Sequence, residues 1–341
     1  MKLAAALLFS SAAMIAAPSA HAAAPDVVVS IKPIHSLVAA IMKGVAEPKL
    51  IVDGAASPHT FTMKPSNART LEAADMVFWV GHGMEAFLEK PLEALASKAT
   101  VVTLEDAPGL EKLPFREGGA FEAHDHGDHD HGHDHADGDD HKHGEGEKHA
   151  DHDEDGDSHE GHAHEGHDHG AFDTHLWLDP MNAKAFAAEI EKQLVQADAE
   201  HAAIYQKNAA ELMTQIDAMD AEIKETLSPV KDKPFIVFHD AYQYFEHHYG
   251  VKVAGSITVS PETMPGAERV KQIHEKVTQL GATCVFAEPQ FEPKLVKVVT
   301  EGTPAKSATL DPEAATLTAG PDLYFQLMRG LSTSMKTCLT Q

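Results

Sequence analysis

The chain has 341 residues, is 43% hydrophobic and carries a formal net charge of −26. That apolar content suffices for one large domain or for two lobes of ordinary size. The acidic balance argues against nucleic acid and anionic membranes as partners and favours cations.

The first predicted element is a signal peptide over residues 1–22. Lys2 supplies a minimal positive start, an apolar run follows over residues 3–17, and Ala20-His21-Ala22 matches a small-x-small cleavage pattern. No Cys lies near the cleavage point, so no lipid attachment site is expected. No later stretch carries eighteen apolar residues in a row, so the mature chain reads as exported, soluble and periplasmic.

Short β-branched runs then alternate with helical patterns. Strands are predicted at 27–31, 50–52, 76–80 and 101–104, with helices at 34–42, 66–73 and 84–95 between them. A low-complexity tract runs from about 118 to 170. Fifteen of the twenty-five histidines fall between His124 and His169, interleaved with Asp and Glu. With almost no apolar group to offset ordering entropy, this insertion is expected to be disordered without metal. Imidazole and carboxylate at that density bind divalent metal, although the composition alone does not locate a tight site.

After the tract, a helix is predicted at 182–196. A second follows, of roughly 28 residues and on the order of 40 Å, on which Ile204, Leu212, Ile216, Met219, Ile223 and Leu227 fall at helical spacing. Beyond Pro229 the first pattern recurs. Strands are predicted at 235–239, 251–257, 284–287 and 308–310, helices at 242–249, 265–280 and 293–300, and a last helix at 321–338. The expected architecture is α/β. It comprises an N-terminal lobe over residues 23–198, a linking helix over 199–228 and a C-terminal lobe over 229–341. Each lobe would hold a parallel sheet of about four strands flanked by helices. One rigid linking helix predicts a limited hinge.

Three histidines outside the tract sit in telling contexts. His59 follows the second strand, His175 follows the tract, and His239 ends the strand after Pro234. Asp311 follows the last strand. In parallel sheets ligands bind at the carboxyl ends of strands, and facing lobes would bring such residues together. Three imidazoles with a carboxylate or a water suit tetrahedral Zn²⁺. The bland alternative is that each is a structural hydrogen-bonding histidine. His35 reads as a helix residue near the cleft, His82 as a turn residue, and His201, His247, His248 and His274 as helix-surface residues. Cys284 and Cys338, an even pair in an oxidising compartment, read as one disulfide pinning the last helix, with free thiols or metal ligands as the alternatives.

The stretches Ser57-Pro58-His59 with Lys64-Pro65-Ser66, Thr174-His175-Leu176-Trp177-Leu178-Asp179-Pro180, Phe238-His239-Asp240-Ala241-Tyr242, Ala287-Glu288-Pro289-Gln290-Phe291 and Leu310-Asp311-Pro312 occur in this order. Jointly they resemble the metal-binding solute receptors of ABC importers, and within them the periplasmic zinc-binding, ZnuA-type component. The resemblance spans essentially the whole mature chain. It implies metal held in the interlobe cleft by His59, His175 and His239. Asp311 stands where manganese-binding relatives, and some zinc-binding ones, place a carboxylate. Some zinc members use a Glu just before the first histidine, and Pro58 occupies that position here. The fourth ligand is thus Asp311, water or a tract histidine. The paired cysteines fit zinc-type members.

The resemblance implies capture of Zn²⁺ for a membrane permease, with no catalysis and a monomeric state. By its composition the His-rich loop reads as an auxiliary low-affinity zinc trap or a delivery tether, able to receive zinc from a periplasmic chaperone, with a solvated spacer as the bland alternative. Imidazole at position 239 favours zinc over manganese, although copper and nickel also take three imidazoles. Rival readings are a manganese or other divalent-metal receptor, a His-rich metal buffer or surface adhesin, and an exported zinc hydrolase. The last lacks a His-Glu-x-x-His motif, and Glu288 is its one carboxylate worth testing, otherwise read as structural or lobe-closing.

Overall fold

The structure is a computed structural model that describes residues 24–116, 120–121, 172–258, 264–281 and 283–341. The expected signal peptide and nearly all of the His-rich tract lie outside the described residues.

The first sheet is built from β1 (Val27–Val29), β2 (Lys49–Leu50), β3 (Met76–Trp79) and β4 (Thr100–Thr103), with α1 (Lys32–Ile41), α2 (Pro65–Glu72) and α3 (Glu89–Leu95) between them. Its order is β2-β1-β3-β4 and every pairing is parallel. β1 and β3 are buried along their whole length, which is why they read as unbroken apolar runs rather than alternating ones. The helix expected at 84–95 starts late. Its first turns are irregular because the Glu85 carboxylate reaches back to accept from the Val80 and Gly81 amides. Only Glu89–Leu95 is α-helical.

Two helices follow, α4 (Pro180–Ala197) and α5 (Ala202–Leu227). Asp179 caps α4 by accepting from the Met181 amide at 2.6 Å, with Pro180 in the first turn. α5 has 26 residues, a length of about 39 Å. Its buried stripe, Tyr205, Ala209, Leu212, Ile216, Met219, Ile223 and Leu227, packs against α1 and α4.

The second sheet holds β5 (Pro234–His239), β6 (Lys252–Thr258), β7 (Cys284–Ala287) and β8 (Lys306–Thr309). Its helices are α6 (Gln243–Tyr249), α7 (Ala267–Leu280) and α8 (Lys294–Thr300), and α9 (Leu323–Thr340) closes the chain. The order β6-β5-β7-β8 repeats that of the first sheet, again all parallel. Alternation along β5 divides the apolar interior. Phe235 and Val237 join the main core, which runs through both lobes by way of α1, α4, α5 and α9. Ile236 and Phe238 face a smaller core with α7 and α8. A disulfide joins Cys284 of β7 to Cys338 of α9 across 54 residues of sequence.

The segment entering the His-rich insertion crosses to the second lobe, a detail the sequence reading, which kept the insertion within one lobe, did not contain. The Arg116 guanidinium pairs with Asp240 and Glu246. The Ala120 carbonyl accepts from the Ser256 amide and from Arg269. Among the described residues no helix is long and apolar enough to cross a membrane.

Candidate metal centre

His59 lies in a short 3-10 turn, Pro58–Thr60, on the loop after β2. His175 immediately precedes another such turn, Leu176–Leu178, which leads into α4. His239 is the last residue of β5. These three points, far apart in sequence, converge. His59 Nε2 lies 3.3 Å from His175 Nε2, which lies 3.4 Å from His239 Nε2. The trio is a group whose ligand atoms all lie within 4.8 Å of one another, suited to a metal ion.

Two of the rings are oriented by carboxylates. Asp173 Oδ1 accepts from His175 Nδ1 at 2.8 Å and from the His175 amide. Both oxygens of Glu288 accept from His239 Nδ1, at 2.8 and 2.7 Å. An ionised carboxylate can only accept, so Nδ1 carries the proton in each ring and Nε2 keeps its lone pair for the centre. Glu288 also accepts from the Tyr242 hydroxyl at 3.2 Å. Glu288 therefore does ring-orienting work in the structure. Asp173, only two residues before His175, has the same role and was not singled out in the sequence, although its spacing is a readable signal.

Two of the rings, His59 and His239, differ electrostatically. Burial, and then the neighbouring imidazoles of His175 and His239, hold the His59 pKa well below the ordinary histidine value. Burial also acts to lower that of His239, but the adjacent Glu288 carboxylate outweighs it and the net shift is upward.

Asp311 is placed differently. Its Oδ1 accepts from the Ala315 amide at 2.8 Å, and Oδ2 from the Thr316 amide and hydroxyl. Its carboxylate folds back into its own loop and is not one of the clustered groups. A carboxylate that does approach a ring's Nε2 is Glu313, two residues on, with Oε1 3.8 Å from His59 Nε2. Position after the last strand pointed to Asp311, and no motif in the sequence pointed to Glu313.

The remaining histidines satisfy local needs. His35 Nε2 meets the Pro48 carbonyl and His274 Nδ1 the Val299 carbonyl. His201 Nδ1 meets Asp198, and His82 Nδ1 lies near Glu89. His247 is exposed. Its neighbour His248 is not the surface residue expected, since it turns inward between Asp179 and Asp220. Adjacent positions on a helix point apart, so only one of the pair can do so. A cavity of about 460 Å³ lies away from the trio, lined in part by Lys43, Glu47 and Pro321. A site for one ion needs no such volume.

Two parallel-sheet lobes facing each other across three inward imidazoles define a two-lobed binding protein with a site the size of a single cation. Residues 27–338 match the family model described as zinc-uptake complex component A, periplasmic. The chain belongs to that family. It is 58% identical over 315 residues to the high-affinity zinc uptake system protein ZnuA of Brucella suis, covering 92% of each. It is 34% identical over 332 residues to the Yersinia pestis protein of the same name, covering 97% of this chain and 96% of that one. Among solved structures it superposes on a crystal structure of ZnuA with a TM-score of 0.69 at 22% identity, over 92% of this chain and 99% of that one. The periplasmic zinc-binding protein TroA of Treponema pallidum gives 0.71 at 18% identity, over 93% of this chain and 99% of that one. At these identities the structural likeness speaks for the fold.

Proposed function

We propose that this protein captures Zn²⁺ in the periplasm and delivers it to the membrane permease of an ABC importer. The observation that carries the reading is the spacing of the three Nε2 atoms. A tetrahedral centre with ~2.0–2.1 Å metal–nitrogen bonds has ligand–ligand edges of ~3.3–3.4 Å, and the two spacings here are 3.3 and 3.4 Å. His59, His175 and His239 are the ligands in this reading. Neutral imidazoles braced by carboxylates favour zinc over the oxygen-rich surroundings that manganese prefers.

The protein is then a carrier and not an enzyme, exported by residues 1–22, free of a lipid anchor and monomeric. Lobes 23–198 and 229–341, joined by the helix within 199–228, close only slightly around the ion. The His-rich insertion serves as a low-affinity trap that receives zinc from a periplasmic chaperone, supported by its fifteen imidazoles.

The test is a zinc titration against a competing chelator, comparing the mature chain with a variant lacking residues 118–170. One tight site should survive the deletion while only weak ones vanish. Loss of the tight site would transfer the function to the insertion and overturn this reading.

A further inference from the structure

The segments that flank the His-rich tract are tied to both lobes. Leading in, the Leu113 amide donates to the Tyr244 hydroxyl at 3.0 Å, and Gln243 Nε2 donates to the Pro114 carbonyl at 2.9 Å. Leading out, Phe172 bridges antiparallel to Pro114, and the Asp173 amide donates to the Leu113 carbonyl at 2.9 Å. The buried Tyr244 hydroxyl joins the two, because it also donates to the Asp173 carbonyl at 2.6 Å. Gln243 and Tyr244 open α6 of the second lobe. The neck of the insertion is therefore seated across the cleft, and its exit runs straight into Asp173, the carboxylate that orients His175.

The charged tie in this neck is Arg116. Its Nε donates to Asp240 Oδ2 at 3.2 Å while Nη2 donates to Oδ1, and Nη1 donates to Glu246. The Phe121 ring lies 4.1 Å from the guanidinium carbon. A fork that engages both oxygens of one carboxylate fixes its orientation as well as its position, which an ammonium cannot do. Asp240 directly follows His239, and its side chain is only 4% exposed. Glu288 thus holds the His239 ring while Arg116 holds the next residue, and the turn that leaves β5 is fixed from two directions. Without Arg116, Asp240 and Glu246 lose the cation between them, and like charges so close repel. The turn that carries His239 is then free to shift.

We infer that Arg116 is a positioning residue for the metal centre: from the neck of the His-rich insertion it reaches across the cleft, fixes Asp240 and through it holds His239 in place. The inference rests on the zinc-receptor reading above. It gives the insertion a role separate from any metal its histidines take up, because its neck is a strap between the lobes. The hydrogen bonds of Arg116 go to Asp240 and Glu246 and not to an imidazole. Separating the lobes at this edge breaks the Arg116–Asp240 contact. The strap therefore acts on how long the ion is held rather than on which ion fits.

The experiment measures zinc affinity by chelator competition, and zinc release by stopped-flow mixing of the protein, loaded with one equivalent of zinc, with excess chelator. It uses the mature chain with its insertion, and each variant is melted in its metal-free form. Arg116→Gln should speed release by about 10-fold or more, the low end of what losing a ligand's outer partner costs. Arg116→Lys keeps the charge beside Asp240 but loses the fork, so it should fold like wild type and still release zinc more than about threefold faster. In an Asp240→Asn background, Arg116→Gln should add little, because the two residues act as one unit. Val277→Ala loosens the smaller core of the second lobe away from the neck. It reports what lowered stability alone does, and its release should stay close to that of wild type. Release within about threefold of wild type in Arg116→Gln or in Arg116→Lys overturns the inference, as the outer-partner scale is not reached. Simple addition of the Arg116 and Asp240 effects overturns it too, as does equally fast release from Val277→Ala. If His239→Ala binds zinc like wild type, it is the underlying site assignment that fails.

Discussion

The two sheets share one topology but use their corresponding edges in opposite ways. In both, strand order reverses between the first and third strands of the lobe, at β1/β3 and at β5/β7. Such a reversal opens a crevice at the strands' carboxyl ends, where ligands are commonly bound. In the first lobe the crevice is closed from within. Glu85, fully buried, accepts from the Ser30 hydroxyl and from the amides of Val80 and Gly81. In the second lobe the same position holds His239 at the end of β5 and Glu288 just past β7, paired to each other. There the carboxylate serves a ring that still has a free lone pair, so that crevice contributes an imidazole to the trio. The first lobe contributes its two imidazoles from outlying loops, at His59 and His175. A fold that offers two equivalent crevices thus builds one centre by filling one of them with its own carboxylate.

Removing His239 should produce the largest effect. The substitution His239→Ala deletes a proposed ligand and leaves the Glu288 carboxylate buried without its main partner. Breaking a buried pair by removing one member costs about 3–5 kcal/mol. Denaturant unfolding of the metal-free protein should show that loss, alongside collapse of zinc affinity in chelator competition. Stability within about 1 kcal/mol of wild type would mean that the His239–Glu288 pair contributes little, and the contrast between crevices would lose its energetic half.

The first crevice makes an equally specific claim at lower magnitude. Burial raises the Glu85 pKa from 4.5 to about 7. A raised folded-state pKa gives stability that is fully present below the unfolded value and lost as pH rises through the folded one. Relative to Glu85→Gln, which mimics the protonated acid, wild type should lose about 3 kcal/mol between pH 4.5 and about 7, then level off. Taking the difference cancels the histidines, which titrate in an overlapping range. Zinc affinity measured at pH 7.5 should change little, because Glu85 hydrogen-bonds none of the three histidines and reaches the centre only through its charge on Glu313. An altered affinity would show that the first crevice is coupled to the centre after all.

Smaller still is the effect of Glu288→Gln. The amide keeps a hydrogen bond to His239 Nδ1 but removes the charge that raises the ring's pKa and strengthens it as a donor. Zinc affinity should fall by about 10–100-fold, or about 1.4–2.7 kcal/mol. An unchanged dissociation constant would show that orientation alone, and not charge, is what Glu288 supplies.

Much of this arrangement is legible in the chain because buried parallel strands leave an unmistakable pattern. Val27-Val28-Val29 and Phe235-Ile236-Val237-Phe238 are apolar on both faces, and His239 interrupts the second run at the place where it leaves the sheet. The stripe from Tyr205 to Leu227 is similarly plain, since one long helix buries a single face. Other features depend on contacts that local spacing does not encode. Whether Asp311 or Glu313 faces the centre is decided by a left-handed turn at Ala314 and by Lys32, some 280 residues earlier in the chain. The inward turn of His248 depends on Asp220 of α5, and the docking of Arg116 on the second lobe depends on Asp240 and Glu246. Each is a side-chain contact between distant segments, and two polar residues of a long chain do not announce each other.

The finest test concerns the loop that brings Glu313 to 3.8 Å from His59 Nε2. Ala314 adopts φ 57, where a Cβ crowds the following carbonyl at a cost of roughly 1–2 kcal/mol. Its side chain is fully buried in the main core, so the strain is tolerated in exchange for packing. Glycine relieves the crowding but forfeits the buried methyl, worth about 0.8 kcal/mol, and adds freedom to the unfolded chain. The opposing effects nearly cancel, and Ala314→Gly should shift stability by no more than about 1 kcal/mol. Its zinc affinity should also change little, provided that Lys32 and Trp177 hold the loop through Pro312 and its later carbonyls. A large drop in affinity at nearly constant stability would show that the turn itself, and not the clamps from the first lobe, positions the carboxylate at the centre.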